Sequence, residues 1–231
     1  VRQTGNPRMA WDAYRRLVAS YGEVVAGLPA SLFEAEIDRV TQGQDERLLD
    51  FSQLRQLTRS FLGLYETHAG RPFPQDAREQ LSGAIEAVFA SWNADKAVQY
   101  RRIHQIDHDM GTAVILQRMV FGNTGGHSGA GVGFTRDPST GEPRLWVDFL
   151  ANAQGEDVVS GRRNAHGHAT LAAVAPDAWK QLQASAQALE QHFGDMQDFE
   201  FTVQDGVLHM LQTRSAKRTP LAAARIALDL L

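Results

Sequence analysis

Residues 197–214 read QDFEFTVQDGVLHMLQTR. Asp198 and Glu200 stand two apart, so on a strand they share a face. Asp205-Gly206, between two alternating runs, marks a hairpin turn. A two-residue turn would pair Phe199 with Gln212 and leave both faces mixed. A three-residue loop over 204–206, with Gly206 left-handed, sorts the residues instead. Phe199, Phe201, Val203, Val207, His209 and Leu211 then form a core face. Asp198, Glu200, Thr202, Leu208, Met210, Gln212 and Arg214 form the other, with Gln212 opposite Asp198. The three-residue loop is therefore the expected one. Two carboxylates and an amide oxygen suit a hard cation such as Mg²⁺, which takes oxygen ligands and keeps several waters. The planar fork of Arg214 suits a phosphate. A solvated sheet face with an incidental ion pair fits the same pattern, which alone leaves both readings open.

Other segments offer weaker chemistry. FGNTGGHSGAGVGFTRDPSTG has the glycines for a backbone cradle around an anion, but it fits neither the phosphate-loop nor the dinucleotide fingerprint. Glu156 and Asp157 are adjacent acids on a turn entering a Val-Val run. His166 and His168 lack a third ligand at metal spacing and read as surface. His209 reads as a core histidine, and His127 as a loop residue.

The elements that must position these groups fall in two halves, residues 1–110 and 111–231. The first reads as helices. Ser31 with Glu34, Ser52, and Asp76 with Glu79 mark helix starts, and Asn93 or Asp95 marks a fourth. Gly70 closes the second. Leu81, Ile85, Val88 and Phe89 line one face of the third. The second half begins with Thr112–Phe121, β-branched and apolar, which predicts a buried strand. Residues 131–137 and 144–150 read as strands joined by Pro138-Ser139-Thr140-Gly141. Pro176 and Gly194 bracket a helix, and Thr219-Pro220 opens the last. The fold class is α+β with mostly antiparallel pairing.

Composition narrows the function. The 231 residues are 43% hydrophobic and 22% charged, with net charge −4 and no cysteine. That is an ordinary globular balance, and it excludes thiolate metal sites and cysteine nucleophiles. No basic run interleaved with aromatics points to nucleic acid, and no apolar run approaches a membrane span. The start is neither a signal peptide nor an initiator Met, so a piece of a longer chain is expected.

At these motifs the sequence resembles the nucleotide-binding region of the pyruvate, phosphate dikinase family. TGNPRMAWDAYRRL, EQLSGAIEAVFASWNADKAVQYRR, GTAVILQRMVFGN, SGAGVGFTRDPSTGE, FLANAQGEDVVSG and DMQDFEFTVQDGVLHMLQTRSAKRT carry the resemblance through nearly the whole chain. The related phosphoenolpyruvate synthases share the layout more loosely. The resemblance implies an ATP-grasp fold that uses ATP and Mg²⁺ to pyrophosphorylate a histidine on a separate swivelling domain, en route to phosphoenolpyruvate. It implies metal ligation by Asp198, Glu200 and Gln212, and catalytic roles for Glu200, Gln212 and Arg214. It puts Asp148 (where the family usually has Glu), Glu156, Asp157 and Arg214 at the ATP site. Gly131 falls in the loop near the phosphates, and Gln117, Met119 and Val120 near the adenine. The implied enzyme is a phosphotransferase with paired acceptors, cytoplasmic and homodimeric, of which this fragment alone is inactive. A phosphate-binding subdomain is expected before Val1, and a phosphohistidine domain and a pyruvate-binding barrel after Leu231. An acceptor as in a phosphoenolpyruvate synthase, and a binding module with a vestigial site, are the alternatives. FGNTGGHSG and Arg162-Arg163-Asn164-Ala165-His166 depart from the family pattern, and neither His166 nor His168 is given the phosphohistidine role.

Overall fold

The computed structural model describes residues 4–159 and 166–230. It divides into two compact units, Val1–Gln117 and Arg118–Leu231. Residues 162–165, singled out above as a departure, lie outside the described residues.

The first unit is helical: α1 (Pro7–Val24), α2 (Ala30–Thr41), α3 (Phe51–Ala69), α4 (Ala77–Ser91) and α5 (Asp95–His104). The Asn6 side chain accepts the N–H of Met9 and Pro7 stands in the first turn of α1, where its missing N–H costs nothing. Two expected starts move. α2 begins after Pro29 rather than at Ser31. The box that opens α3 is Asp50 with Gln53, so Ser52 is already helical. Gly70 ends α3 at φ 69, and Asp76 caps α4 through the N–H groups of Arg78 and Glu79. Val18, Tyr21, Phe33, Leu54, Leu57, Phe61, Tyr65 and Phe73 form the core. The predicted apolar face of α4 does not join it: Leu81 and Phe89 are 39% and 50% exposed. The α1–α3 pair closes the core, and α4 packs only lightly on α1.

The predicted strand over Thr112–Phe121 is absent. The segment is irregular and exposed, with Ile115 88% accessible. Its residues suit a pleat, but a strand needs a hydrogen-bonded neighbour, and the sheet's ladders begin only at Gly129.

That sheet is built from β1 (Gly129–Phe134), β2 (Trp146–Ala151), β3 (His166–Gly167), β4 (Gln197–Gln204) and β5 (Val207–Ser215). Its order is β3-β2-β1-β4-β5, antiparallel throughout. Between β2 and β3 lies α6 (Gly155–Val159), a short helix where a turn and Val-Val run were expected. α7 (His168–Val174), α8 (Pro176–Phe193) and α9 (Pro220–Asp229) complete the unit. Gly194 closes α8 at φ 61, and the Thr219 hydroxyl caps α9, as the sequence predicts. α7 and α8 cover one face of the sheet, burying Phe149, Phe199, Phe201 and Val203 against Leu171, Ala178 and Leu182.

The hairpin corrects the expected register. Its turn has two residues, Asp205 and Gly206, at φ 51 and 82, the geometry that matches strand twist. Pairing runs from Gln204↔Val207 to Phe201↔Met210, then shifts, and resumes as Glu200↔Gln212 and Asp198↔Arg214. Leu211 is the extra residue of a bulge. Alternation within one strand cannot reveal a bulge, so the mixed faces of the uncorrected two-residue register misled the prediction. The consequence is a swap. Leu208 and Met210 pack on the core, and His209 pairs with Thr202 on the face of Glu200.

Candidate nucleotide site on the open sheet face

Directly paired residues share a face, so the ladders order the side chains into rows across the sheet. One row is Asp148–Val132–Glu200–Gln212, and the next is Trp146–Phe134–Asp198–Arg214. Both lie on the face opposite α7 and α8. With strands about 4.8 Å apart, Glu200 and Gln212 are adjacent, and Asp148 is two strand spacings from Glu200. In a third row, Leu150, Ala130 and Thr202 are buried, while His209 at the edge is half-buried. The open floor thus ends at that row.

Charge is concentrated on the two open rows. Arg214 Nε donates to Asp198 Oδ2 at 2.8 Å, with the Arg214 side chain 62% exposed and that of Asp198 14%. This bond holds the guanidinium pKa above its ordinary value, with the nearby Asp198 charge and, more weakly, Glu200 adding to it. Burial pushes the Asp148 carboxyl up. Among the described residues no three His, Cys, Asp or Glu side chains cluster as a ready metal cage. Two carboxylates and an amide oxygen do fit Mg²⁺, which commonly binds through one or two carboxylates together with substrate phosphates.

The other expected residues are dispersed. Gly131 sits mid-strand in β1, not in a loop, and on the core face: a Cβ there would lie 2.6 Å from Phe201 Cε1. The glycines of GAGVGF therefore make room for Phe rings, since Gly129 and Gly133 meet Phe149 and Phe199 in the same way. Asp157 is buried in α6 and its Oδ2 accepts the Gln154 N–H at 3.0 Å. Gln154 in turn accepts the N–H of Gly122 and donates to Asn123, so Asp157 anchors the start of the Gly-rich loop. Glu156 is exposed, and α6 packs against β1, β2 and β4. Gln117 ends the first unit. Met119 and Val120 lead into Phe121, whose N–H is held by Gln204 Oε1 at 2.8 Å. His127 Nδ1 meets the Val174 carbonyl at 3.0 Å, and His168 stacks on Trp179 at the surface. A groove of about 680 Å³ between α8 and β5 touches the carboxylate face only through Gln212. His209 is the site-facing residue that sequence reasoning missed; the Asp-Gly dipeptide, taken as a two-residue turn, was the signal for it.

Helices α7 and α8 cover one face of the sheet, and carboxylates, an amide and a guanidinium stand in register on the other. That arrangement agrees with the nucleotide-binding domain of the ATP-grasp type to which the family match assigns the chain. Residues 56–170 and 166–230 match the family described as "Pyruvate phosphate dikinase, AMP/ATP-binding domain". The chain belongs to that family. It is 47% identical to the pyruvate, phosphate dikinase of Clostridium symbiosum, over all of this chain and 27% of that protein. It is 46% identical to the chloroplastic enzyme of Mesembryanthemum crystallinum, over 96% of this chain and 24% of that protein. It is 44% identical to the enzyme of Rhizobium meliloti (strain 1021), over 98% of this chain and 27% of that protein. The chain thus spans about a quarter of the length of these relatives. Among the described residues, no helix is long and apolar enough to cross a membrane.

Proposed function

We propose that this region binds ATP with Mg²⁺ on the open sheet face and drives (pyro)phosphorylation of a histidine on a separate domain of a pyruvate, phosphate dikinase. The single observation that carries this reading is the row Asp148–Val132–Glu200–Gln212 beside the pair Asp198–Arg214. Asp198, Glu200 and Gln212 would hold the metal. Bound there, Mg²⁺ would neutralise charge on the phosphates. Arg214 directs its donors at phosphate oxygens, and Glu200 and Gln212 fix the reacting group. Phosphoryl transfer asks for this positioning and neutralisation rather than for covalent chemistry by the protein. Asp148, Glu156 and Asp157 border the nucleotide, with Asp157 acting through the loop it anchors. Gln117, Met119 and Val120 remain the proposed adenine segment. Gly131 contributes by letting β1 pack rather than by touching phosphate. The phosphohistidine and pyruvate/phosphoenolpyruvate domains, the homodimer and a cytoplasmic location rest on the family resemblance.

The test is turnover in the full-length protein. ATP should be converted to AMP with consumption of orthophosphate, and Glu200→Gln and Gln212→Ala should each lower the rate by about a hundredfold or more. Full activity in either variant would remove the proposed role. Turnover without orthophosphate would instead point to phosphoenolpyruvate synthase-type chemistry. Turnover by this chain with no added domain would overturn the view that it is only a part.

A further inference from the structure

The corrected register places an unassigned imidazole on the ligand face. His209 is paired with Thr202, one row beyond Glu200 and Gln212. In its row Leu150, Ala130 and Thr202 are buried, and His209 alone is partly open, at the edge strand. One row further, Gln204 pairs with Val207 and holds the Phe121 N–H at 2.8 Å. His209 therefore lies between the carboxylate rows and the end of the 118–121 segment.

A nucleotide whose phosphates lie over the two open rows has a definite path for its sugar and base. The floor is closed over Leu150, Ala130 and Thr202, so the path runs along the β5 side. Rows on one face are about 6.7 Å apart, and the nucleoside therefore extends past His209. The opposite direction leads to Arg218, Asp195 and Arg136, which are already engaged in ion pairs. A charged end of that kind is poor ground for a purine. We infer that His209 is a nucleoside-contacting residue, its ring meeting the ribose or the base edge, and that it sets affinity for the nucleoside part rather than for the phosphates. An imidazole suits that position because it offers one donor, one acceptor and a flat face. This inference rests on the proposed use of the open sheet face.

The experiment is calorimetric titration of the full-length protein and its variants with Mg·ATP, AMP and Mg·tripolyphosphate. His209→Ala should weaken Mg·ATP and AMP by the same factor, about tenfold, and leave Mg·tripolyphosphate unchanged. His209→Phe, which keeps a ring and fills the same space, should retain more AMP affinity than His209→Ala if the contact is with the base. The His209 Hε1 resonance should move on adding AMP and stay still on adding tripolyphosphate. Unaltered AMP affinity in both variants, or equal loss for tripolyphosphate, would overturn the inference. Glu200→Gln separates it from the reading beneath it. If that variant loses Mg·ATP and tripolyphosphate binding while the His209 variants lose nothing, only the role of His209 falls. If Glu200→Gln also loses nothing, the site reading falls with it. Melting profiles near the parent's establish that the variants are folded.

Discussion

Arg214 lies directly opposite Asp198 in the β4–β5 ladder and donates from Nε to Asp198 Oδ2 at 2.8 Å, beside the row that holds Glu200 and Gln212. The pair closes one end of the open floor, and its cation is largely in solvent. Exposed pairs contribute at most about 1 kcal/mol to stability. Arg214→Ala should therefore leave the melting temperature of the full-length protein nearly unchanged while weakening Mg·ATP binding by about tenfold. Arg214→Lys should not restore it, because a point charge cannot present two parallel donors. Calorimetric binding and thermal melts on the same samples check this. A large drop in melting temperature without loss of affinity would make the pair structural.

Gly131 makes the opposite prediction. Its place under Phe201, on the face turned from the carboxylates, leaves no room for a methyl group. Gly131→Ala should cost about 1–3 kcal/mol through overpacking. Adding Phe201→Leu should recover part of it by clearing the space. Activity per folded molecule should hold in both. Denaturant melts and active-fraction assays decide: a stable Gly131→Ala protein with poor ATP affinity would return Gly131 to the phosphate site.

The hairpin ends are tied by Asp195, just before β4, and Arg218, just after β5, whose NH2 meets Asp195 Oδ2 at 2.7 Å. The Arg218 hydrogen bond, reinforced by the Met196 N–H, holds the Asp195 carboxyl below the usual range. A depressed folded-state pKa gives stability that is present above the unfolded value, near 3.9. It is lost as pH falls through the folded value. The gap in melting temperature between parent and Asp195→Asn should be full from pH 6 to 8 and shrink below about pH 4. A gap that persists unchanged in acid would assign the stabilisation to something other than this ion pair.

Local chemistry made most of the second unit readable. Gly194 and Thr219 end and begin helices for reasons contained in a few residues. The Asp-Gly pair located the hairpin turn, but not its length, which is two residues rather than the three expected. What failed needed partners distant in sequence. Thr112–Phe121 has strand composition but no strand beside it. The face of α4 has helical periodicity, but the core closes without it. The carboxylate pair Asp198 and Glu200 was legible from two-residue spacing. Their true neighbours were not, because the bulge at Leu211 is set by how β5 fits β4. Asp148 entered only through the resemblance. Its alignment with Glu200 comes from β1, which pairs on both sides.

That alignment sets stability against function at Asp148. Burial alone pushes its carboxyl up, so the ionised form is disfavoured in the folded chain. A raised folded-state pKa gives a contribution fully present below the unfolded value near 3.9, lost as pH rises through the folded value. At neutral pH the charge therefore costs stability. Asp148→Asn, close in shape and uncharged, should melt higher than the parent at pH 7, with the difference disappearing in acid. If Asp148 serves the bound nucleotide, the same variant should bind Mg·ATP more weakly. Asp148→Glu should bind at least as well as the parent, since its longer side chain spans more of the two strand spacings to Glu200. Calorimetry at pH 7 and at about pH 3, below the unfolded value, with Mg·ATP titrations at pH 7, reads both effects. A lower melting temperature for Asp148→Asn at pH 7 would mean that the carboxylate has a stabilising partner, and the opposition between stability and binding would not exist.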